Sequence, residues 1–441
     1  MSPGHPETDS YLLANATVAA ELVAGLAVPS TGTDRLALCD IRVAAGKIDA
    51  IAPAAGVHDG AGQVIDMQCG LVLPRFVDVH THIDKGQIFP RTPQANGTHD
   101  GARATVGADR DKNWTTADVR RRMDFVLRCA FSHGTGTIRT HIDSIGKQTD
   151  ISWPLFDEMR AEWRGRIALQ PVSLFPVDFA VDDEAQFKSI VATVVRYGGV
   201  LGGLTFMGNP PDAKLDLALQ RVFHAAAAYG LDLDFHTDES ASPHARSLER
   251  IAATALATKF KGRVTAGHCC SLALQCDADR ARVIERVGEA RMTIVSLPMC
   301  NMYLQDRASG RTPRWRGVAP LHELDAAGVP VMVASDNTRD PFYAYGDLDM
   351  LEVFREATRI LHFDHASRPW LRMLGPAPAA LLPFEGAGTI AVGRSADLVL
   401  VGARSINELL SRPWSDRIVL VAGKAIERDL PNYAELDGLV S

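Results

Sequence analysis

The chain has 441 residues, a formal net charge of −7 and a sequence pI near 6.1. This length accommodates one large domain of about 250 to 300 residues and a smaller one. The acidic balance gives no basic footprint, so we expect no nucleic acid and no membrane partner and favour small soluble substrates. The seven cysteines form no Cys-x-x-Cys pair, and no secretory pattern or long apolar run is present, which indicates a cytoplasmic protein.

Two regions with β character lie towards the ends of the chain. Residues 36–43 and 63–67 read as short alternating strands between Gly and Asp turns, and residues 396–401 and 417–421 have the same character. We predict that these regions meet in one small β-sandwich domain, which combines residues 1–70 with residues 379–441.

Between these regions, apolar runs of strand length alternate with amphipathic stretches of helix length, such as residues 215–229. Eight strand–helix repeats predict an α/β protein with a (β/α)8 TIM barrel over residues 71–378, whose chemistry is expected at the C-terminal strand ends. The predicted strands lie in residues 71–79, 137–140, 167–174, 200–206, 231–235, 263–266, 292–297 and 329–334.

Polar side chains of metal-ligand type follow four of these strands. His80 and His82 lie two residues apart at a strand end, so both imidazoles point to one side and can close on one metal ion. The strands at residues 231–235, 263–266 and 329–334 run into His236, His268 and Asp336. Core packing explains this poorly, because a buried imidazole or carboxylate without a partner costs several kcal/mol.

The stretches around these residues carry a family resemblance. They are Gly70-Leu-Val-Leu-Pro, His80-Thr-His-Ile-Asp84, Arg139-Thr-His-Ile-Asp143, Phe235-His-Thr-Asp-Glu239, Val264-Thr-Ala-Gly-His268 and Ser335-Asp-Asn-Thr-Arg-Asp-Pro-Phe342. The chain resembles the amidohydrolase superfamily over about residues 70–425, and within it the cytosine deaminases with their creatinine- and aminotriazine-deaminating relatives. The most specific element is His-x-x-Glu on strand five combined with the aspartate on strand eight.

The resemblance implies one divalent metal ion, Zn²⁺ or Fe²⁺, bound by His80, His82, His236 and Asp336. It makes Glu239 the proton shuttle and places His268 and Asp336 beside the attacking water; the alternative for His268 is a hydrogen-bonded core histidine. Three imidazoles and one carboxylate around such an ion lower the pKa of bound water from 15.7 towards about 7. The stretch 198–208 holds no lysine that could be carboxylated to bridge two metals, which favours a mononuclear site.

The implied reaction is attack of metal-bound hydroxide on the amine-bearing carbon of a pyrimidine, pterin, creatinine or triazine, with release of ammonia. The pocket departs from the cytosine deaminases, because Val177 stands where they have a glutamine, Asn337 replaces a second aspartate and Phe342 replaces a tryptophan. The ends of strands four and seven, residues 205–210 and 298–303, supply aromatic, sulfur-bearing and amide side chains. Such a lining suits a flat, weakly charged heterocycle. The substrate-binding candidates are Lys85, Phe175, Val177, Asp178, Phe206, Asn209, Asn301, Asn337 and Phe342.

Several alternatives stay open in the sequence. Lys85 is a pocket cation or a solvated loop charge with equal weight, and His141 with Asp143 favours support of the first metal ligands over a second metal site. The alternative reactions are hydrolysis of a cyclic amide or imide and release of an N-alkylamine. A metal-binding protein without turnover, or a non-haem iron oxygenase, has no obvious use for Glu239. Related enzymes are commonly homo-oligomeric, and the number of subunits is left open.

Overall fold

The computed structural model describes residues 4–25, 28–30, 32, 34–55, 62–92, 98–205, 210–365 and 368–439. Its strands in chain order are β1 (Ser10–Ala19), β2 (Leu36–Ala44), β3 (Lys47–Pro53), β4 (Gln63–Asp66), β5 (Leu71–Pro74), β6 (Phe76–Thr81), β7 (Thr135–Asp143), β8 (Ala168–Leu174), β9 (Leu201–Leu204), β10 (Leu233–Thr237), β11 (Val264–His268), β12 (Thr293–Ser296), β13 (Val331–Val333), β14 (Leu398–Val401), β15 (Ile418–Val421) and β16 (Lys424–Ala425).

The α-helices lie mainly between the parallel strands. They are α1 (His99–Asn113), α2 (Thr116–His133), α3 (Lys147–Glu162), α4 (Phe179–Asp182), α5 (Glu184–Tyr197), α6 (Ala213–Tyr229), α7 (Ser247–Ala257), α8 (Asp277–Glu289), α9 (Pro298–Leu304), α10 (Leu321–Ala326), α11 (Met350–Leu361), α12 (Pro376–Ala379) and α13 (Ile406–Ser411). Within the ranges given above, none of these helices is both long and apolar enough to cross a membrane.

Helix α6 shows how the amphipathic pattern becomes structure. Asp212 caps its start by accepting a hydrogen bond from the Leu215 backbone N–H at 2.9 Å, and Gly230 ends it with a φ of 64°. One face buries apolar side chains at helical spacing, and each Leu, Val or Phe among them contributes roughly 1.5–3 kcal/mol when fully buried. These residues, which the predicted stretch 215–229 contains, are Leu215, Ala218, Leu219, Val222, Phe223 and Ala226.

The two ends of the chain share one eight-stranded sheet. Its order is β16-β15-β14-β5-β1-β2-β3, and β4 pairs with β1. The N-terminal strand β5 and the C-terminal strand β14 run antiparallel, with Leu73 opposite Val399. The buried Tyr11 hydroxyl on β1 donates to the Gly423 carbonyl at 2.7 Å, which ties the first strand to the turn between β15 and β16. Segments about 400 residues apart therefore stabilise each other.

We expect Tyr11→Phe to destabilise the protein by about 1 kcal/mol, because the buried Gly423 carbonyl loses its donor while the ring packing stays. Chemical unfolding followed by circular dichroism measures the change. Tyr229→Phe is the matched control, because Tyr229 is 61% exposed and such surface changes usually stay within about 0.5 kcal/mol. Equal stability of the two variants would contradict the proposed link between the chain ends.

Eight parallel strands form two further sheets, ordered β6-β7-β8 and β13-β12-β11-β10-β9. Isolated bridges join their edges: Thr81 pairs with Asp336 beyond β13, and Val172 on β8 pairs with Val200 before β9. The carboxylate of Asp78 on β6 also accepts hydrogen bonds from the Ser335 backbone N–H and hydroxyl. These contacts place the C-terminal ends of β6 and β13 side by side, and the α/β class predicted from the sequence is confirmed.

The predicted first strand, residues 71–79, is divided between two sheets. Leu71–Pro74 belongs to the terminal sheet as β5, whereas Phe76–Thr81 begins the parallel sheet as β6. The chain changes partners at Arg75, whose backbone N–H donates to Asp397 and whose guanidinium donates to the Thr135 carbonyl at 2.8 Å. A continuous apolar run cannot reveal this change, because both strands are buried on both faces.

Candidate active site

Three histidines and one aspartate meet at the C-terminal ends of β6, β10 and β13. His236 Nε2 lies 3.2 Å from the Nε2 atoms of both His80 and His82. Asp336 Oδ1 lies 3.2 Å from His82 Nε2 and 3.6 Å from His80 Nε2. All four side chains are buried, and one ligand atom from each lies within 4.8 Å of the others. The structure thus brings together all four predicted metal ligands.

The chemistry of this cluster fits a divalent cation. Burial lowers the pKa of His80, His82 and His236 well below the usual value, which keeps their imidazoles neutral and able to ligate. Neither carboxylate oxygen of Asp336 accepts a hydrogen bond from an N–H or O–H group among the described residues. Burial and the negative charge of Glu239 raise the pKa of Asp336 well above its usual range. A bound cation would offset the free-energy cost of burying the ionised carboxylate. Three nitrogens and one oxygen are a ligand set that Zn²⁺ and Fe²⁺ accept.

Gly267 gives His80 the space to enter this cluster. A Cβ atom at position 267 on β11 would lie 2.9 Å from His80 Cε1 and 3.1 Å from His80 Nδ1. Real Cβ atoms do not approach ring atoms this closely, so the imidazole would have to move. The glycine before His268 is therefore required by close approach, and not by a turn.

We expect Gly267→Ala to displace the His80 ring and lower metal affinity, at a stability cost of about 1–3 kcal/mol from overpacking. Metal content after dialysis and thermal unfolding of the metal-free protein measure the two effects. Gly288→Ala on α8 is the control, because the nearest atom to its new Cβ would be Val329 Cγ2 at 3.8 Å. If Gly267→Ala binds metal as tightly as Gly288→Ala, this account of the glycine is wrong.

Glu239 lies in the turn after β10, next to the metal-ligand cluster. Asn301 Nδ2 donates to its Oε1 atom at 3.2 Å, and His268 Nδ1 lies 3.4 Å from the same atom. Burial alone would raise the pKa of Glu239, but His268, His99 and Lys85 reverse this effect and hold the pKa below its usual value. The carboxylate is therefore ionised and ready to accept a proton.

Asp238 fixes the turn that carries Glu239. Its backbone has a φ of 49°, and its buried carboxylate accepts hydrogen bonds from the backbone N–H groups of Ser247 and Leu248, both at 2.9 Å. The sequence analysis did not single out Asp238, although its position between His236 and Glu239 was a signal for a supporting role.

Three of the substrate-binding candidates, Lys85, Asn337 and Phe342, are buried. Lys85 is only 5% exposed, which excludes a solvated loop charge, and its Nζ atom lies 4.6 Å from the Phe342 ring centroid. The Asn337 amide donates to Asp340 at 2.6 Å. Asp340 also accepts hydrogen bonds from the backbone N–H groups of Phe342 and Tyr343, which fixes the loop after β13.

Three other substrate-binding candidates contact the surrounding helices or the hydrophobic core. Phe175 packs against the rings of Phe179 and Phe187, and Val177 is part of the main hydrophobic core. Asp178 lies 3.6 Å from Lys214 at the surface between α4 and α6. Apolar residues at a strand end can face the pocket or the helices, and the sequence does not distinguish the two. The remaining candidates, Phe206 and Asn209, lie outside the described residues.

A second layer of buried polar groups lies behind the metal-ligand cluster. The ring centroid of His141 is 4.0 Å from that of His80, and its Nε2 atom lies 3.9 Å from Asp234 Oδ1. Asp234 in turn accepts a hydrogen bond from Arg139 at 2.9 Å. One ligand atom each of His80, His141 and Asp234 also lies within 4.8 Å of the others. This arrangement is compatible with the support that the sequence favoured for His141.

Known families and proteins resemble this chain in sequence. Residues 163–424 match the family model described as "Amidohydrolase family". A pterin deaminase of Rhizobium rhizogenes strain K84 is 52% identical over 440 residues, which are 100% of this chain and 98% of that protein. An N-isopropylammelide isopropyl amidohydrolase of Pseudomonas sp. strain ADP is 28% identical over 377 residues, 83% of this chain and 88% of that protein.

Solved structures share the fold. A 5-methylcytosine deaminase from Klebsiella pneumoniae, liganded with phosphonocytosine, superimposes with a TM-score of 0.79 at 23% identity and covers 95% of this chain and 98% of its own. At this identity the likeness concerns the fold alone. The family model and the 52% identical pterin deaminase confirm the family resemblance found in the sequence motifs. The chain belongs to the amidohydrolase family.

Proposed function

We propose that this protein is a hydrolytic deaminase that removes the exocyclic amine of a pterin and releases ammonia. The observation that carries the proposal is a buried Glu239 beside a cluster of three histidines and one aspartate at the C-terminal ends of parallel strands. A deaminase of heterocycles agrees with the family and with the pterin deaminase that is 52% identical over the whole chain. The choice of a pterin rests on that relative.

In this proposal His80, His82, His236 and Asp336 would hold a divalent ion, which would supply the Lewis acidity that activates a water molecule at neutral pH. Glu239 accepts one proton from the attacking water and delivers it to a ring nitrogen. It then accepts the second proton from the new hydroxyl group and delivers it to the departing amine. A C–O bond forms at the amine-bearing carbon and the C–N bond breaks; one water proton stays on the ring nitrogen of the 2-oxo product, and the other leaves in ammonia. Glu239 returns to its ionised form after each turnover.

The surroundings of Glu239 serve this proton transfer. Asn301 Nδ2 donates to its Oε1 atom and is also 2.9 Å from His268 Nδ1, which lies 3.4 Å from the same oxygen. Phe342 offers an aromatic surface for a flat heterocycle, and Lys85 supplies a cation that can face a ring oxo group. We assign substrate binding to these two residues and to Asn337.

Ammonia release by the metal-loaded protein tests the proposal. Pterin should give stoichiometric ammonia and the corresponding 2-oxo product, identified by mass spectrometry, while cytosine, creatinine and an aminotriazine should react more slowly. Absence of ammonia from pterin would reject the pterin assignment, and absence from the whole panel would reject the deaminase.

A second candidate is release of an N-alkylamine. It is favoured by the 28% identity with the N-isopropylammelide isopropyl amidohydrolase, because the same attack on a ring carbon expels either amine. Adding N-isopropylammelide to the panel and detecting isopropylamine separates the two reactions.

We also propose a closed barrel and a separate small domain for this chain. The bridges between Thr81 and Asp336 and between Val172 and Val200 support one closed (β/α)8 barrel built from β6 to β13. The shared terminal sheet supports a small domain made of residues 1–70 and 379–441. The hydrogen bonds of β5 (Leu71–Pro74) belong to this sheet as well, which moves the proposed boundary to Arg75. The β-sandwich arrangement of this small domain stays a prediction.

The sequence-based choice of Zn²⁺ or Fe²⁺ as the single metal also stays a proposal. The same holds for a cytoplasmic location, for a homo-oligomer and for the absence of nucleic acid partners. Elemental analysis of the purified protein and its mass in solution address the metal and the number of subunits.

A further inference from the structure

The two oxygens of the Glu239 carboxylate contact groups from different parts of the chain. Oε1 faces Asn301 on α9 and His268 at the end of β11. Oε2 faces His99, whose Nε2 atom lies 3.4 Å away. His99 follows no predicted strand, and the sequence analysis did not include it among the site residues. Only the folded chain brings it to the carboxylate.

His99 is held in place by its own surroundings. It is the first residue of α1, and the preceding Thr98 caps the helix by accepting a hydrogen bond from the Gly101 backbone N–H at 3.0 Å. Its ring lies edge-on to Phe342, with centroids 5.4 Å apart and an angle of 64° between the rings. The side chain is 15% exposed, so it is more accessible than Glu239 at 4%. His99 thus lies on the outer side of the carboxylate.

The contact with His99 restricts the rotation of the Glu239 carboxylate. A carboxylate held through one oxygen can turn about its terminal torsion, which is broad for glutamate. A misplacement of about 1 Å in a reacting group can cost about 10²-fold in rate. An imidazole with its proton on Nε2 donates to Oε2, and a donor on the second oxygen removes that freedom.

We propose that His99 is a positioning residue for the deamination: it holds Glu239 Oε2 and, together with Asn301 and His268 on Oε1, fixes the plane of the carboxylate. This inference rests on the proposed function, because it assigns to Glu239 the proton transfer described above. His99 acts through Glu239 and makes no bond to the reacting carbon.

Steady-state kinetics of His99→Leu and His99→Gln test the proposal. We expect His99→Leu to lower kcat by about 10- to 100-fold, with KM and bound metal close to the wild-type values. Gln can donate through its amide nitrogen, so His99→Gln should recover most of kcat. His224→Leu, on the exposed face of α6, is the matched control and should equal wild type. A raised KM with unchanged kcat in His99→Leu would overturn the proposal.

A double-mutant cycle shows whether His99 acts through Glu239. If it does, His99→Leu should have almost no further effect on the residual rate of Glu239→Gln. An equal loss in both backgrounds would mean that His99 contacts the substrate or supports the fold, and would overturn the positioning role.

Crystal structures of the metal-loaded proteins give a readout that does not need a substrate. Glu239 should adopt one conformer in wild type and His99→Gln. In His99→Leu its carboxylate should be rotated or should occupy two partial conformers. An unchanged Glu239 in His99→Leu would contradict the proposal even if the deaminase assignment holds. Failure of the whole substrate panel, by contrast, rejects the proposed function and leaves the structural comparison to decide on His99.

Discussion

Glu239→Gln is expected to bind its metal normally and to lose at least about 10³-fold in kcat with pterin, because an amide cannot accept the proton of the attacking water. The substitution keeps the size of the side chain and its position after β10. It removes the charge of a carboxyl group whose pKa is held low by His268, His99 and Lys85 despite burial. Three polar side chains, Asn301, His268 and His99, therefore contact a carboxylate that lies outside the proposed set of four metal ligands.

The comparison that decides this prediction combines three measurements on the same preparation: metal content, thermal unfolding and ammonia release. Glu427→Gln is the matched control, because this glutamate lies exposed at the surface. Retained metal with a collapsed kcat supports a proton shuttle. A Glu239→Gln variant as active as wild type would reject the role of Glu239, and loss of metal would make the residue part of the metal site instead.

The metal-ligand cluster could be predicted from the sequence because one rule of parallel sheets places it. The C-terminal ends of neighbouring parallel strands lie on the same side, so residues that follow the strands meet there. His80, His236 and Asp336 are 256 positions apart at the extremes, yet their ligand atoms lie within a few ångströms. Alternation along β6 likewise turned His80 and His82 to one side.

Other parts of the site depend on contacts that no local pattern encodes. Phe175 and Val177 follow β8 as expected, but the ring of Phe175 packs between helices α4 and α5. His99 reaches Glu239 from the start of α1, which depends on the path of the chain between β6 and β7. The division of residues 71–79 between two sheets depends on Arg75 finding partners at Thr135 and Asp397. Tertiary packing decides each of these cases.

Removing the metal is expected to abolish activity and to lower thermal stability, and restoring Zn²⁺ or Fe²⁺ should reverse both effects. Three neutral imidazoles and the Asp336 carboxylate are buried together, so a bound cation would compensate a buried polar cluster. A ligand at 100 times its Kd stabilises the folded state by about 2.7 kcal/mol. Thermal unfolding with chelator and with added metal measures the difference.

Two histidine variants then identify which buried cluster binds the ion. His236 Nε2 lies 3.2 Å from the Nε2 atoms of both His80 and His82, so His236→Ala should remove the stabilisation by metal along with activity. His141 belongs to the neighbouring group with His80 and Asp234, and His141→Ala should keep the metal-dependent stabilisation. Unfolding of both metal-free variants controls for damage to the fold. If His141→Ala loses the metal and His236→Ala keeps it, the ion binds in the second layer and the proposed ligand set is wrong.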